Sequence, residues 1–219
     1  MLAALVFDFD GLIVDSEIPV YRAWAELYGE HGEELELEFW KGIIGHGSNY
    51  HDTHAELERR LGRRLDRDRI AEARRLRVEE LMTQMPVLEG VLEWRSEARS
   101  RGLRLGLASS STRLWVTTNL RRLGLEEGWD CVRCRDDVGR GKPDPAVYLA
   151  VAAGLGIEPA RGLALEDSES GVAAAKAAGF RCLAVPSSLT REHDLSAADL
   201  RLDSLAERSL GEVLELLEP

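Results

Sequence analysis

Leu5-Val6-Phe7-Asp8-Phe9-Asp10-Gly11 decides the reading of this chain: an apolar, strand-like run ends in two carboxylates one residue apart and then breaks at a glycine. Strand alternation leans Asp8 and Asp10 to the same side, so both can reach one ligand. In an open α/β sheet the ligand crevice lies beyond the carboxyl ends of the strands, where Asp8 would sit. A surface turn built on Asp-Gly accounts for the pair equally well by itself. The rest of the chain separates the two readings.

From Gly90 onward, helical and strand patterns alternate. The spacing predicts helix 91–101 before strand 103–108, helix 113–123 before strand 130–133, helix 146–155 before strand 162–165, and helix 170–178 before strand 181–185. Such alternation with short apolar strands implies a parallel, Rossmann-like α/β sheet covered by helices on both faces, joined by the first strand. Residues from about Pro19 to Met85 hold no convincing strand. Val20-Tyr21, Trp24 and Leu27-Tyr28 recur at helical spacing, as do Leu57, Leu61 and Leu65, and 70–82 reads as a charged amphipathic helix. The expected organisation is an α/β core over residues 1–17 and 87–219 with an inserted all-helical domain over 18–86. Trp24, Tyr28, Phe39 and Trp40 would form the insert's own core.

Three further strand ends carry ligand-like residues. Strand 103–108 runs into Ser109-Ser110-Ser111-Thr112, where hydroxyls and free backbone N–H groups gather at a helix start; helix capping alone also favours such residues. Gly139-Arg140-Gly141-Lys142-Pro143 sets a lysine before a proline-started helix. It fails as a nucleotide P-loop, because Pro143 stands where Ser or Thr is required. Among the 28 lysines and arginines only Lys41, Lys142 and Lys176 are lysine, so a lysine at a given place is informative. Leu163-Ala164-Leu165-Glu166-Asp167-Ser168 again ends a strand in adjacent acids, which are hard oxygen ligands suited to magnesium. Together these elements put Asp8, Asp10, Ser109, Lys142, Glu166 and Asp167 at one edge of one sheet. Four acids so close repel unless a divalent cation and the lysine neutralise them, and the set then fits a phosphate.

The 219 residues are 44% hydrophobic, enough for a packed core, and carry a net charge of −11. That balance argues against nucleic acid or an anionic membrane as partner. The acids at Asp8 and Asp10 interrupt the apolar N-terminus before a signal peptide or span could form, which points to the cytoplasm. Cys131, Cys134 and Cys182 are expected as free thiols, and the Cys131/Cys134 spacing, read on a strand, as neither a metal nor a redox pair.

In Asp8-Phe9-Asp10-Gly11 with Asp15-Ser16-Glu17, then Ser109, then Gly141-Lys142-Pro143, then Glu166-Asp167-Ser168, the chain resembles, over nearly its whole length, a haloacid dehalogenase superfamily phosphatase with a helical cap. The subgroup it resembles is that of β-phosphoglucomutase and its sugar-phosphatase relatives. The resemblance implies a Mg²⁺-dependent phosphatase acting on a small phosphorylated metabolite. Asp8 would be the nucleophile that forms an aspartyl-phosphate, and Asp10 the acid and then the base. Mg²⁺ would be held by the Asp8 carboxylate, the Asp10 backbone carbonyl and Asp167, with Glu166 as a direct or water-mediated ligand. Ser109, the Ser110 backbone N–H and Gly11 would bind the phosphoryl group, and Lys142 would offset charge on Asp8 and substrate.

Two departures favour hydrolysis over mutase chemistry. The mutase relatives carry a His shortly after the Asp-Ser/Thr element and an Arg in a cap loop, whereas this chain has Ile18-Pro19-Val20-Tyr21 and Lys41-Gly42-Ile43-Ile44-Gly45-His46-Gly47-Ser48. By resemblance that glycine-rich loop selects the leaving group, with Lys41 and His46 as candidate substrate contacts. His51 and His54 are expected as exposed polar residues. A phosphosugar mutase and a phosphate-binding module without turnover are the alternatives. Sequence does not set the oligomeric state, and a monomer is compatible with it.

Overall fold

A computed structural model describes residues 2–44 and 52–217. The chain divides into two compact units, Met1–Asp15 with Pro86–Pro219, and Ser16–Met85.

The first unit is built on a six-stranded parallel sheet of β1 (Ala4–Phe7), β2 (Arg104–Ala108), β3 (Cys131–Arg133), β4 (Gly162–Glu166), β5 (Arg181–Ala184) and β6 (Leu200–Arg201), in the order β3-β2-β1-β4-β5-β6. This is the doubly wound order. Its topological switch falls where β1 meets β4, and a ligand crevice is expected off the carboxyl ends of those two strands. The central strands are buried along their whole length, which is why they read as continuous apolar runs. Ala4 and Val6 of β1 and Ala164 of β4 pack into one buried layer with Val147, Tyr148 and Val151. Leu5 and Phe7 alternate to the opposite face, where Phe7 meets Trp129 edge-on at 5.6 Å. Helices α5 (Val91–Ser100), α6 (Arg113–Arg122), α7 (Arg135–Val138), α8 (Ala146–Leu155), α9 (Glu169–Ala177) and α10 (Leu210–Leu217) complete this unit.

The second unit holds α1 (Glu17–Glu30), α2 (Leu37–Lys41), α3 (Thr53–Leu61) and α4 (Arg67–Met82), with no strand among its described residues. Trp24, Tyr28 and Trp40 are buried there and Phe39 is half-buried. Arg77 of α4 forks both carboxylate oxygens of Glu26 on α1, at 2.7 and 2.8 Å.

The structure corrects several expectations. The helical stretch read from about Pro19 begins at Glu17, and Pro19 lies in the first turn of α1, where a missing N–H costs no hydrogen bond. Leu65 falls outside α3, because Gly62 takes a left-handed conformation and ends it. His54 is not an exposed polar residue: its side chain is 17% exposed and stands edge-on to Trp24 at 4.6 Å. His46 and His51 lie outside the described residues. The three cysteines are free and buried, with Cys134 at the N-cap of α7 rather than on the strand.

Candidate active site

Parallel register builds the site. Phe7 pairs with Leu165, and the Asp8 N–H continues the ladder to the Leu165 carbonyl at 3.0 Å, so Asp8 arrives level with Glu166. Both follow two residues after inward alanine or valine positions, and alternation sends both side chains toward the layer that holds Tyr148. Both are buried, Asp8 at 5% exposed and Glu166 at 0%.

Lys142 enters from the loop before α8 and lies between them. Its Nζ is 2.5 Å from Asp8 Oδ1 and 2.6 Å from Glu166 Oε1. Tyr148 of α8 donates its hydroxyl to the same Glu166 oxygen, and its ring lies 5.3 Å from the ammonium. Burial pushes Asp8 up to about 8, against the opposing pull of Lys142 and with further upward pressure from Glu166 and Asp10. Burial also works against the Lys142 charge, yet the Asp8 and Glu166 carboxylates outweigh it and hold the ammonium above the ordinary lysine value. The tyrosine is raised by burial and then by Glu166, so its hydroxyl keeps the proton that it donates to Glu166.

Asp167 completes an acidic triad. Asp8, Glu166 and Asp167 each offer an oxygen within 4.8 Å of the others, and all three are buried. Two glycines make room for them. Gly11 has φ +80°, and a Cβ there would stand 2.1 Å from Asp167 Oδ2; at Gly171, in the first turn of α9, a Cβ would stand 1.8 Å from Glu166 Oε2. That Glu166 oxygen has no hydrogen-bond partner among the described residues. Three clustered carboxylates, one with an orphaned buried oxygen, fit a hard divalent cation such as magnesium.

Asp10 turns elsewhere. Ser111 Oγ donates to its Oδ2 at 2.6 Å, Trp115 Nε1 donates to its Oδ1 at 2.9 Å, and Ser109 Oγ stands 3.5 Å from Oδ2. Ser109 is fully buried, and its Oγ accepts the Ser111 N–H at 3.0 Å. Ser110 Oγ accepts the Lys142 backbone N–H at 3.0 Å, which ties the serine loop to the lysine loop. Lys41, in the second unit, is ion-paired to Glu38 at 2.8 Å.

Six predicted residues, Asp8, Asp10, Ser109, Lys142, Glu166 and Asp167, therefore stand at the carboxyl edge of one sheet, at its topological switch. A profile for haloacid dehalogenase-like hydrolases matches residues 2–179. The chain belongs to this family. The hydrolase is 38% identical over 217 residues to the protein YhcW of Bacillus subtilis, covering 99% of this chain and 98% of the other. It is 31% identical over 181 residues to a phosphorylated carbohydrates phosphatase of Thermotoga maritima, covering 82% of each. Among solved structures, CbbY from Rhodobacter sphaeroides in complex with phosphate superposes with a TM-score of 0.77 at 28% identity, covering 96% of this chain and 98% of that one.

Sequence reasoning left Trp115 and Tyr148 of the hydrolase unassigned and gave Ser111 no role of its own. Trp115 is 105 positions from Asp10 and Tyr148 is 18 from Glu166. Tyr148 carried one usable signal, a phenol among the apolar residues of α8, since a buried hydroxyl needs a partner.

Proposed function

We propose that the hydrolase is a Mg²⁺-dependent phosphatase of small phosphomonoesters, sugar phosphates foremost, working through a phosphorylated Asp8. The observation that carries this reading is the pairing of two differently held acids: Asp8 bound to a buried lysine, and Asp10 bound to neutral donors on a separate corner. Two carboxylates in distinct surroundings suit two roles. The naming of a relative as a phosphorylated carbohydrates phosphatase supports the substrate class.

A bound cation, held by Asp8 and Asp167 with Glu166 beside them, would neutralise phosphoryl oxygen charge and favour the ionised Asp8. The Asp8 carboxylate attacks phosphorus, and the bond from phosphorus to the ester oxygen breaks. Asp10 delivers a proton to that oxygen, so the leaving group departs as an alcohol. Asp10, now a carboxylate, takes a proton from water as the water oxygen attacks phosphorus. The acyl–phosphate bond then breaks, releasing phosphate and restoring Asp8. Lys142 spreads positive charge over Asp8 and the incoming phosphoryl oxygens. Ser109, fully buried beside Asp10, is suited to orient those oxygens. The helical unit, residues 16–85, would serve as the cap that excludes water and selects the leaving group.

The test is phosphate release from a panel of sugar and polyol phosphates with Mg²⁺ or with chelator. Turnover is expected only with the metal, with Asp8→Asn reducing kcat by at least about 10³-fold and Asp10→Asn by about 10²–10⁴-fold. Metal-independent release, or wild-type kcat in Asp8→Asn, overturns the proposal.

A further inference from the structure

Asp10 hangs from the turn after β1, on a backbone whose next residue, Gly11, has φ +80°. That turn sets the Asp10 Cα but not the plane of its carboxylate, which rotates about two side-chain bonds. A proton moves efficiently only between groups held at the right distance and angle, and a displacement of about 1 Å costs on the order of 10²-fold. Something outside the turn must therefore fix the plane.

Trp115 is built to do so. It stands in the first turn of α6, where its own backbone N–H donates to the N-cap Thr112 Oγ1 at 3.3 Å, so the indole projects from an anchored position. The ring is rigid beyond two side-chain torsions, and its N–H meets Asp10 Oδ1 at 2.9 Å. Ser111, four residues earlier, meets Oδ2 at 2.6 Å from the same corner of the fold. Trp115 takes Oδ1, while the Ser111 hydroxyl, with Ser109 Oγ at 3.5 Å, takes Oδ2. The two kinds of donor are chemically unlike, because an indole N–H only donates whereas a hydroxyl donates or accepts. Oδ1 is thus kept as an acceptor, and a proton on this carboxylate belongs on Oδ2, the oxygen nearer Ser109 Oγ.

We propose that Trp115 is a positioning residue for proton transfer, its indole N–H fixing the plane of the Asp10 carboxylate so that Oδ2 faces the reacting phosphoryl group. The inference rests on the acid–base role proposed for Asp10. The experiment is a double-mutant cycle on the full-length protein with Mg²⁺ and an alkyl phosphate shown to be turned over. Trp115→Phe, which keeps an aromatic ring and removes the donor, is expected to lower kcat about tenfold or more while leaving KM within about twofold. In the Asp10→Asn background the same substitution is expected to change the residual rate by less than about twofold, since its effect passes through Asp10. If Trp115→Phe unfolds below the assay temperature, Trp115→β-(3-benzothienyl)alanine keeps the indole shape without the N–H and should show the same kcat loss. A wild-type kcat in the donor-free variant overturns the inference, and so does an equal loss with and without Asp10, which would assign Trp115 to packing. A wild-type rate in Asp10→Asn itself would instead overturn the acid–base reading beneath it.

Discussion

Lys142 holds one ammonium against two carboxylates, 2.5 Å from Asp8 and 2.6 Å from Glu166, with 5% of its side chain exposed. Removing one member of such a buried set leaves the others uncompensated, at a cost on the order of 3–5 kcal/mol. Lys142→Met is therefore expected to unfold at lower denaturant than wild type by about that free energy and to lose kcat by about 10²–10³-fold, the scale of one preorganised electrostatic group. Lys142→Arg should not rescue it, since a planar guanidinium fork cannot occupy a point between two carboxylate oxygens set for a compact ammonium. Chemical denaturation and phosphate release on both variants check this. Near-wild-type kcat in Lys142→Arg would mean that charge alone, without the short contacts, suffices. Tyr148 reaches the same Glu166 oxygen as Lys142, so the chain Tyr148–Glu166–Lys142–Asp8 runs unbroken from the helix layer to the end of β1.

At the scale of elements, strands and the residues gathered at their ends were legible for one reason: parallel strands buried on both faces read as apolar runs, and their ends stand out when acids or serines follow. Asp8, Ser109 and Glu166 each end such a run, so the doubly wound order brings them together without any contact being known in advance. The two-residue β6, the four-residue α7 and the five-residue α2 were not legible, because none is long enough to display a period. The Trp115–Asp10 contact was not legible either, since spacing along the chain says nothing of two side chains that meet across adjacent strand ends. His54 of α3 shows the same limit. Its polar identity suggested exposure, yet it packs on Trp24, and burial lowers its pKa from 6.5 despite Asp52 at 3.9 Å. The unfolded chain then binds a proton that the folded one resists. Stability contributed at this position is complete above about pH 6.5 and is lost as pH falls below it. His54→Gln should flatten that acid-side decline in a pH series of thermal melts, and an unchanged slope would assign the decline to other groups.

Over the whole molecule, a net charge of −11 surrounds a site with three buried carboxylates and one lysine facing them. Without a cation the charges within that cluster do not balance; burial raises Asp8 to about 8, and the Glu166 and Asp10 carboxylates add to the rise. A ligand that binds only the folded state stabilises it by RT ln(1 + [L]/Kd), about 2.7 kcal/mol at a hundredfold excess over Kd. For a chain of this size each kcal/mol moves a melting midpoint by roughly 2–4 °C. Mg²⁺ at that excess should therefore raise the midpoint of the unit that carries the site by roughly 5–10 °C, and chelator should reverse it. Asp167→Asn, which removes one charge from the triad while keeping its shape, should shrink the Mg²⁺ shift sharply and leave the metal-free protein at least as stable as wild type, because like charges no longer crowd. Scanning calorimetry on both proteins with and without Mg²⁺ reads this directly. An equal Mg²⁺ shift in both would place the stabilising cation away from Asp167.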